Sequence, residues 1–241
     1  EADLASGERM QRLLQGDVGA GKTLVALLAM LIAVEAGTQA ALMAPTEILA
    51  RQHMATIGPL AEKIGIRAAL LTGREKGKTR EKILADLAAG DLHILIGTHA
   101  LFTDDVAFAD LSLAVVDEQH KFGVSQRLSL SAKGGRPAHV LVMTATPIPR
   151  TLSMTLYGDM DVSKLDEKPP GRRPITTRAI PLSRLEDVEI AVARAIGAGD
   201  RVYWVCPLVE QNEKLDLTAV ESRYAELERR FEGRVALAHG Q

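Results

Sequence analysis

Cysteine and surplus charge are scarce in this chain of 241 residues, and long apolar runs are absent. Its single cysteine, Cys206, excludes an internal disulfide and makes a reducing cytoplasm the expected location. No cysteine or histidine spacing suggests zinc, no uncharged apolar run reaches about 18 residues as a membrane span needs, and nothing resembles a signal peptide. A net charge of −2 gives no overall attraction to nucleic acid, and the basic cluster at 74–82 is interpreted as a solvated face.

What the chain does contain is a glycine-rich loop with the spacing G-x-x-x-x-G-K-T. Backbone N–H groups of such a loop form a nest for a nucleotide polyphosphate, and the helix that follows adds its dipole. The residues expected to form this cofactor-binding loop are Gly16, Asp17, Val18, Gly19, Ala20, Gly21, Lys22 and Thr23. Lys22 is placed to reach the β- and γ-phosphates and the Thr23 hydroxyl to bind Mg²⁺. A turn without a ligand is the alternative, but a short strand at 12–15 and a helix at 22–36 provide the context that the motif requires.

Apolar runs typical of strands alternate with helical segments along the first two thirds of the chain. The runs are 39–44, 66–71, 92–96, 112–116 and 138–143, and the helical segments are 46–64, 78–89, 123–132 and 149–157. This alternation predicts an α/β fold in which a parallel sheet carries helices on both faces and binds ligands beyond the carboxyl ends of its strands. The helix at 22–36 is apolar on nearly every side and is predicted to be buried.

A proline-rich segment at 166–174 interrupts this pattern and predicts a linker. It separates a first domain over 1–165 from a second unit over 175–241. Within the second unit the sequence predicts strands at 175–180, 202–206 and 234–238, and helices at 184–197 and 217–231. Because this unit is short for a parallel α/β layer, we expect a fragment, or a domain whose sheet is completed by further residues.

The strand ending at Val116 is followed by two carboxylates, Asp117 and Glu118. Asp117 is positioned to hold Mg²⁺ opposite Thr23, and Glu118 to orient and deprotonate an attacking water. An ordinary transition from strand to loop explains most such runs on their own. The phosphate loop in the same chain favours the metal interpretation.

Together these motifs resemble the superfamily 2 helicases and translocases and, within them, the RecG family of bacterial branched-DNA helicases. The segments that carry the resemblance are 44–53 (APTEILARQH), 97–101 (GTHAL), 117–124 (DEQHKFGV) and 143–150 (MTATPIPR), in addition to the phosphate loop. The resemblance extends over essentially the whole chain. Gln119 favours RecG over the related Mfd family of transcription-repair coupling translocases, which typically has Glu at that position.

The resemblance implies a RecA-like P-loop NTPase domain over 1–165 and the truncated beginning of a second RecA-like domain over 175–241. It implies an ATP hydrolase that uses ATP and Mg²⁺ to translocate on double-stranded DNA and to remodel stalled forks and Holliday junctions in recombination and repair. Branched double-stranded DNA is the implied partner of a monomeric protein without a membrane association. A contact with a single-stranded DNA-binding protein would use regions outside this chain.

The same resemblance assigns roles residue by residue. Lys22 and Glu118 would act on the triphosphate, with Gln119 and His120 relaying the state of the γ-phosphate. The residues implied to contact DNA or to couple it to ATP are Pro45, Thr46, Thr98, His99, Thr144, Ala145, Thr146 and Arg150. Contacts to phosphate suit a motor that must be indifferent to sequence. Thr46 also fits the N-cap of the helix that follows it, and His53 is interpreted either as a core histidine or as a functional one.

Three alternatives remain open at this point. They are an Mfd-like translocase acting on stalled RNA polymerase, a nucleotide-gated binding module without productive turnover, and a P-loop metabolic kinase, which leaves 97–101 and 144–150 unexplained. The arginine-bearing motifs of a second motor domain are expected after Gln241, and an arginine finger is worth ~10³–10⁵ in rate. We therefore expect the chain alone to bind Mg-ATP, to hydrolyse it slowly and to unwind nothing.

Overall fold

The computed structural model describes residues 2–118, 137–146, 160–167, 171, 175–206 and 213–238. The predicted helices at 123–132 and 149–157 and most of the predicted linker at 166–174 lie outside these residues. The chain divides into two compact units, and the division falls after Arg173. No helix in the described part of the chain is long and apolar enough to cross a membrane.

In the first unit, strands and helices alternate along the chain as the sequence predicts. The helices are α1 (Ala2–Ala5), α2 (Lys22–Glu35), α3 (Glu47–Lys63) and α4 (Gly77–Ala88), with a short 3-10 helix at His99–Phe102. The strands are β1 (Gln11–Gly16), β2 (Gln39–Met43), β3 (Ala68–Leu71), β4 (Ile94–Gly97), β5 (Leu111–Asp117), β6 (His139–Thr144) and β7 (Asp161–Leu165).

The seven strands form one sheet in the order β3-β4-β2-β5-β6-β1-β7, and every pair is parallel. This confirms the predicted α/β class. Strand β7 was not predicted, because its sequence DVSKL contains no apolar run. It pairs with β1 at the end of the sheet, where one side of the strand has no neighbouring strand among the described residues and most of its side chains are exposed.

Two hydrophobic cores lie on the two faces of the sheet because successive side chains of a strand point to opposite sides. Leu14, Leu42 and Val115 contribute to the core that contains α2 and α3. Leu13 and Met43 face the other core, with Leu87 of α4 and the segment around the 3-10 helix. This alternation within continuous apolar strands is what a parallel sheet covered on both faces requires.

Helix α2 is buried on only one side, which corrects the expectation that it is buried throughout. Ala26, Leu27, Met30 and Ala33 pack against the sheet. Leu24, Val25 and Leu28 on the other side are exposed among the described residues. The physical reason is that a helix lying on a sheet presents one stripe to it, so an apolar composition alone does not show what covers the opposite stripe.

The second unit contains two helices, α5 (Leu185–Gly197) and α6 (Glu213–Phe231), and a 3-10 turn at Leu182–Arg184. The predicted helices at 184–197 and 217–231 are thus confirmed. The carboxylate of Glu189 on α5 forms ion pairs with two arginines of α6, Arg223 at 3.7 Å and Arg230 at 2.5 Å. The guanidinium of Arg223 also lies 5.7 Å from the ring centre of Trp204, within the range of a cation–π contact. The two ion pairs connect the helices to each other, and the Trp204 contact connects α6 to the segment between them.

The predicted strands at 175–180, 202–206 and 234–238 are wrong, since the structure describes these residues without regular secondary structure. A strand gains its hydrogen bonds only from a neighbouring strand, and a sheet needs an apolar face to bury. Ile175, Val202 and Val205 instead remain exposed among the described residues. Their alternating apolar pattern is therefore not sufficient to form a sheet within this unit.

Gly97 at the end of β4 tests how tightly the sheet is packed. A Cβ atom at this position would lie 2.2 Å from the backbone oxygen of Leu71 on β3, which cannot move without breaking the strand pairing. We expect Gly97→Ala to lower the free energy of unfolding of the first unit by about 3 kcal/mol. Circular dichroism during urea unfolding measures this change. Gly73→Ala is the matched control, because nothing lies within 4 Å of its added Cβ; an equal loss in both variants would contradict the packing argument.

Candidate functional site

The sheet brings the phosphate loop and the two carboxylates to one edge. Gln15 pairs with Thr144 across β1 and β6, and Asp117 pairs with Met143 across β5 and β6. The ends of β1 and β5 are therefore separated only by β6, or by about 10 Å at the usual spacing of strands. This is the edge at which open parallel sheets bind ligands.

The glycine-rich loop wraps around the start of α2. Gly21 is the N-cap of α2 with φ 96°, a conformation that favours glycine, and Gly19 also has a positive φ of 83°. The ammonium group of Lys22 lies within the loop and donates hydrogen bonds to the carbonyl oxygens of Gly16 at 2.7 Å and Asp17 at 2.9 Å. The loop thus forms a turn around the ammonium group of Lys22, and the N-terminus of α2 lies beside it.

This loop has the chemistry of a polyphosphate site. The first turn of a helix leaves backbone N–H groups without intrahelical acceptors, and those of Lys22 and Thr23 begin α2. Mg²⁺ in such sites takes one or two protein oxygens and completes its shell with phosphate and water. Thr23 and Asp117 supply such oxygens, and the described residues contain no cluster of three or more ligating side chains that would bind a metal alone. The residues present therefore fit a cation that arrives with a nucleotide.

Asp117 is buried and hydrogen-bonded. Its side chain is about a tenth exposed, and Oδ2 lies 2.7 Å from Nε2 of His53 on α3. The sequence leaves the role of His53 open, and the structure places this residue beside the predicted metal ligand. No pattern in the sequence indicates this contact, because the two residues are 64 positions apart.

Glu118 adopts a left-handed backbone conformation, with φ 48°, directly after β5. Such a conformation costs a residue with a side chain about 1–3 kcal/mol and turns the carboxylate away from the direction of the strand. The carboxylate accepts hydrogen bonds from the backbone N–H of Ala145 at 3.2 Å and from the hydroxyl of Thr144 at 3.4 Å. The hydroxyl of Thr144 accepts a further bond from the N–H of Thr146. The predicted base therefore contacts the three predicted coupling residues that the structure describes, directly or through Thr144.

A further link, absent from the sequence interpretation, connects the phosphate-loop strand to the same segment. The side-chain amide of Gln15 is buried and donates a hydrogen bond to the carbonyl of Thr146 at 3.1 Å. Gln15 immediately precedes the glycine-rich loop. A buried polar residue beside the motif is the only sequence signal that could have indicated this role.

The predicted DNA-contacting residues follow two neighbouring strands. Met43 pairs with Gly97, so the segment after β2 and the segment after β4 leave the sheet side by side.

Thr46 is exposed and its hydroxyl accepts a hydrogen bond from the N–H of Leu49 at 3.3 Å, which confirms the predicted N-cap of α3. Pro45 is half-buried, Thr98 is buried and His99 is exposed. The structure thus brings these four residues together but exposes only some of their side chains.

Charges near the start of α3 are largely paired with one another. Glu47 accepts from Arg51 at 2.8 Å and from Arg74 at 3.0 Å, and Arg51 also contacts Glu75. Burial alone would raise the pKa of the Glu75 carboxyl, but hydrogen bonds from Thr72 and the charge of Arg51 bring it below its ordinary value.

Elsewhere in the basic cluster at 74–82, Arg80 binds Asp105 at 2.8 Å. Hydrogen bonds from Thr103 and Arg80 lower the pKa of Asp105. Both described arginines of this cluster, Arg74 and Arg80, thus pair with carboxylates of the same unit. This agrees with the interpretation of the cluster as a solvated face.

Three predicted site residues, Gln119, His120 and Arg150, lie outside the described residues. Their roles stay predictions. The remaining predicted residues all lie at the carboxyl edge of the sheet or in the segments that leave it.

Comparison with known proteins agrees with this geometry. The model of the DEAD/DEAH box helicase family matches residues 2–155. The chain belongs to that family. It is 49% identical over its full length to the ATP-dependent DNA helicase RecG of Acidithiobacillus ferridurans, of which it covers 35%. It is also 49% identical over its full length to RecG of Escherichia coli K12, of which it covers 36%.

A solved structure of RecG bound to a three-way DNA junction is similar to the present fold. It matches with a TM-score of 0.79 and 40% identity over 95% of this chain and 30% of that one. The resemblance to RecG that the motifs predict is thereby confirmed. The chain spans about a third of the length of these helicase relatives.

The contact between Gln15 and Thr146 predicts a specific cost in this helicase domain. Gln15→Leu leaves the carbonyl of Thr146 without its side-chain donor, and we expect it to lower the free energy of unfolding by about 1–2 kcal/mol. Urea unfolding followed by circular dichroism measures this loss. Gln11→Leu is the control on the same strand, where the side chain is exposed and the expected change is within about 0.5 kcal/mol. A neutral result for Gln15→Leu would remove the argument for this link.

Proposed function

We propose that the chain is the ATP-binding motor domain, with the beginning of a second, of an ATP-dependent translocase that remodels branched double-stranded DNA. The observation that carries the proposal is the meeting of the phosphate loop, Asp117 and Glu118 at one sheet edge. The similarity of this chain, over its own full length, to helicases named RecG supports the choice of substrate. The proposed domains are 1–165 and 175–241, joined by a linker at 166–174.

Each residue at the edge has a part in this proposal. Lys22 moves from the loop carbonyls to the β- and γ-phosphates of ATP, which are stronger acceptors for an ammonium group. Thr23 and Asp117 would hold Mg²⁺, which when bound would neutralise charge on the phosphates. Glu118, oriented by Ala145 and Thr144, accepts the proton of the attacking water. Gln119 and His120 are proposed to relay the state of the γ-phosphate.

The same contacts suggest how ATP hydrolysis is coupled to the movement of DNA. Glu118 accepts hydrogen bonds from Thr144 and Ala145, and Thr144 in turn accepts one from Thr146, so a change at the γ-phosphate is proposed to reach this segment through Glu118. Arg150 is proposed to take part in the same coupling. Pro45, Thr46, Thr98 and His99 are proposed to follow the DNA backbone on the neighbouring strand ends. A helix N-terminus such as that at Thr46 suits a phosphate group.

The proposed partner is branched double-stranded DNA, bound by a monomer in the cytoplasm, with a single-stranded DNA-binding protein contacted through regions outside this chain. Among the alternatives, the names of the relatives favour this substrate over the RNA polymerase substrate of an Mfd-like translocase.

The phosphate loop is tested by Lys22→Ala. Because it removes a charged donor to the phosphates, worth about 1.5–3 kcal/mol, we expect the Kd of a fluorescent non-hydrolysable ATP analogue to rise about 10- to 100-fold. Titration of the 241-residue chain by fluorescence anisotropy measures this Kd. Lys63→Ala, at the far end of α3, is the control and should bind as the parent does. If Lys22→Ala binds the analogue as tightly as the parent, the loop does not hold the nucleotide.

The substrate is tested by a chimaera in which this chain replaces the matching region of the Escherichia coli K12 relative, with which it is 49% identical. We expect the chimaera to hydrolyse ATP faster with a model replication fork than with linear duplex DNA, and to unwind the fork. Glu118→Gln in the chimaera should abolish both while retaining ATP binding. A chimaera that binds ATP but responds equally to linear and branched DNA would contradict the proposed substrate. The chain by itself should hydrolyse ATP slowly.

A further inference from the structure

Helix α3 presents a stripe of four buried residues to the sheet, and one of them is polar. Ala50, His53, Ile57 and Ala61 recur at the spacing of three and four that defines one helix face. Three of the four are apolar, and the fourth, His53, places an imidazole among them. Burying such a polar group is unfavourable unless it finds a partner.

The partner of His53 is the predicted metal ligand. His53 is 8% exposed and Asp117 is 9% exposed, and Nε2 of the imidazole lies 2.7 Å from Oδ2 of the carboxylate. The carboxylate has a second oxygen, Oδ1, for which the described residues show no further hydrogen bond. One oxygen is therefore held by α3, and the other can act as a ligand.

We propose that His53 is a positioning residue for Asp117 that holds the carboxylate in the orientation in which it binds the Mg²⁺ of the nucleotide. The inference rests on the proposed function, since it takes Asp117 as a metal ligand. Residues that hydrogen-bond a ligating carboxylate orient it, and their loss typically costs 10- to 100-fold in metal affinity or activity. The histidine contributes through Asp117 and touches neither the phosphates nor the attacking water.

The alternative is that His53 only satisfies a buried carboxylate and stabilises the fold. The two roles differ in what they change. Loss of a purely structural contact lowers stability and leaves the Mg²⁺ dependence of nucleotide binding as it was. Loss of a positioning contact raises the Mg²⁺ concentration required for binding, even where the protein remains folded and still binds nucleotide without the metal.

The experiment compares His53→Leu, which removes the donor, with His53→Gln, whose amide nitrogen can take the place of Nε2. Ile57→Val, one turn along the same buried face, is the control for a general disturbance of α3. The 241-residue chain is titrated with Mg²⁺ in the presence of a fluorescent non-hydrolysable ATP analogue, and binding is also measured in EDTA. Thermal unfolding without nucleotide reports stability separately.

We expect the Mg²⁺ concentration at half-maximal binding to rise about 10-fold or more in His53→Leu and to stay within about 3-fold of the parent in His53→Gln. Binding in EDTA should be the same in all variants, and Ile57→Val should titrate as the parent does. The proposal is overturned if His53→Leu keeps the parent's Mg²⁺ dependence, or if Ile57→Val shows the same rise.

Should His53→Leu fail to fold, His53→Asn takes its place, because its shorter amide cannot reach Asp117. His53→Asn should then show the rise that His53→Gln does not, and equal titrations of the two would overturn the proposal. The underlying function is tested independently by the effect of Lys22→Ala on binding in EDTA. If Lys22→Ala leaves that binding unchanged, it is the nucleotide site that fails, whatever the histidine variants show.

Discussion

Parallel pairing of β6 with both β5 and β1 is the constraint on which the rest of the site depends. Strand β6 places the end of the phosphate-loop strand about 10 Å from the end of the strand that carries Asp117. No side-chain contact is needed for this convergence, because the register of the backbone hydrogen bonds decides it. The end of β6 and the residues that follow it contact both neighbouring strand ends. Thr146 accepts a hydrogen bond from Gln15 on one side, and Thr144 and Ala145 donate to Glu118 on the other.

A helix connects the predicted metal ligand at the carboxyl edge of the sheet to the predicted DNA-contacting residues. Asp117 is hydrogen-bonded to His53 of α3, and the N-cap of α3 is Thr46. Thr46 follows β2, whose end pairs with the end of β4, after which Thr98 and His99 come. One helix therefore carries both a group that contacts the predicted metal ligand and a group predicted to contact DNA, about 10 Å apart along its axis at 1.5 Å per residue. The predicted metal ligand and a predicted DNA contact are thus linked through one rigid helix.

Much of this arrangement could be predicted from the sequence, and the failures have physical causes. The apolar runs that became β2, β4, β5 and β6 are buried on both faces, so composition alone identifies them. Strand β7 is exposed and has no such run. The apolar segments at 175–180, 202–206 and 234–238 have no strand partner within the part of the chain that the structure describes. At the site, the phosphate loop and the carboxylates follow from spacing, whereas the contacts of His53 and Gln15 join residues far apart in the chain and could only be found in three dimensions.

The position of β1 has a consequence for biosynthesis. The strand that carries the phosphate loop is made before both of its partners, β6 and β7, and its Gln11 pairs with Val140 of β6. During translation β1 therefore has neither of its partner strands until the chain has been extended from Gln11 to Val140 and beyond. Contacts of such long sequence separation fold slowly and leave apolar strand edges open in the meantime. The nascent chain must keep this strand of the proposed nucleotide site from associating with other chains until β6 and β7 are available to pair with it.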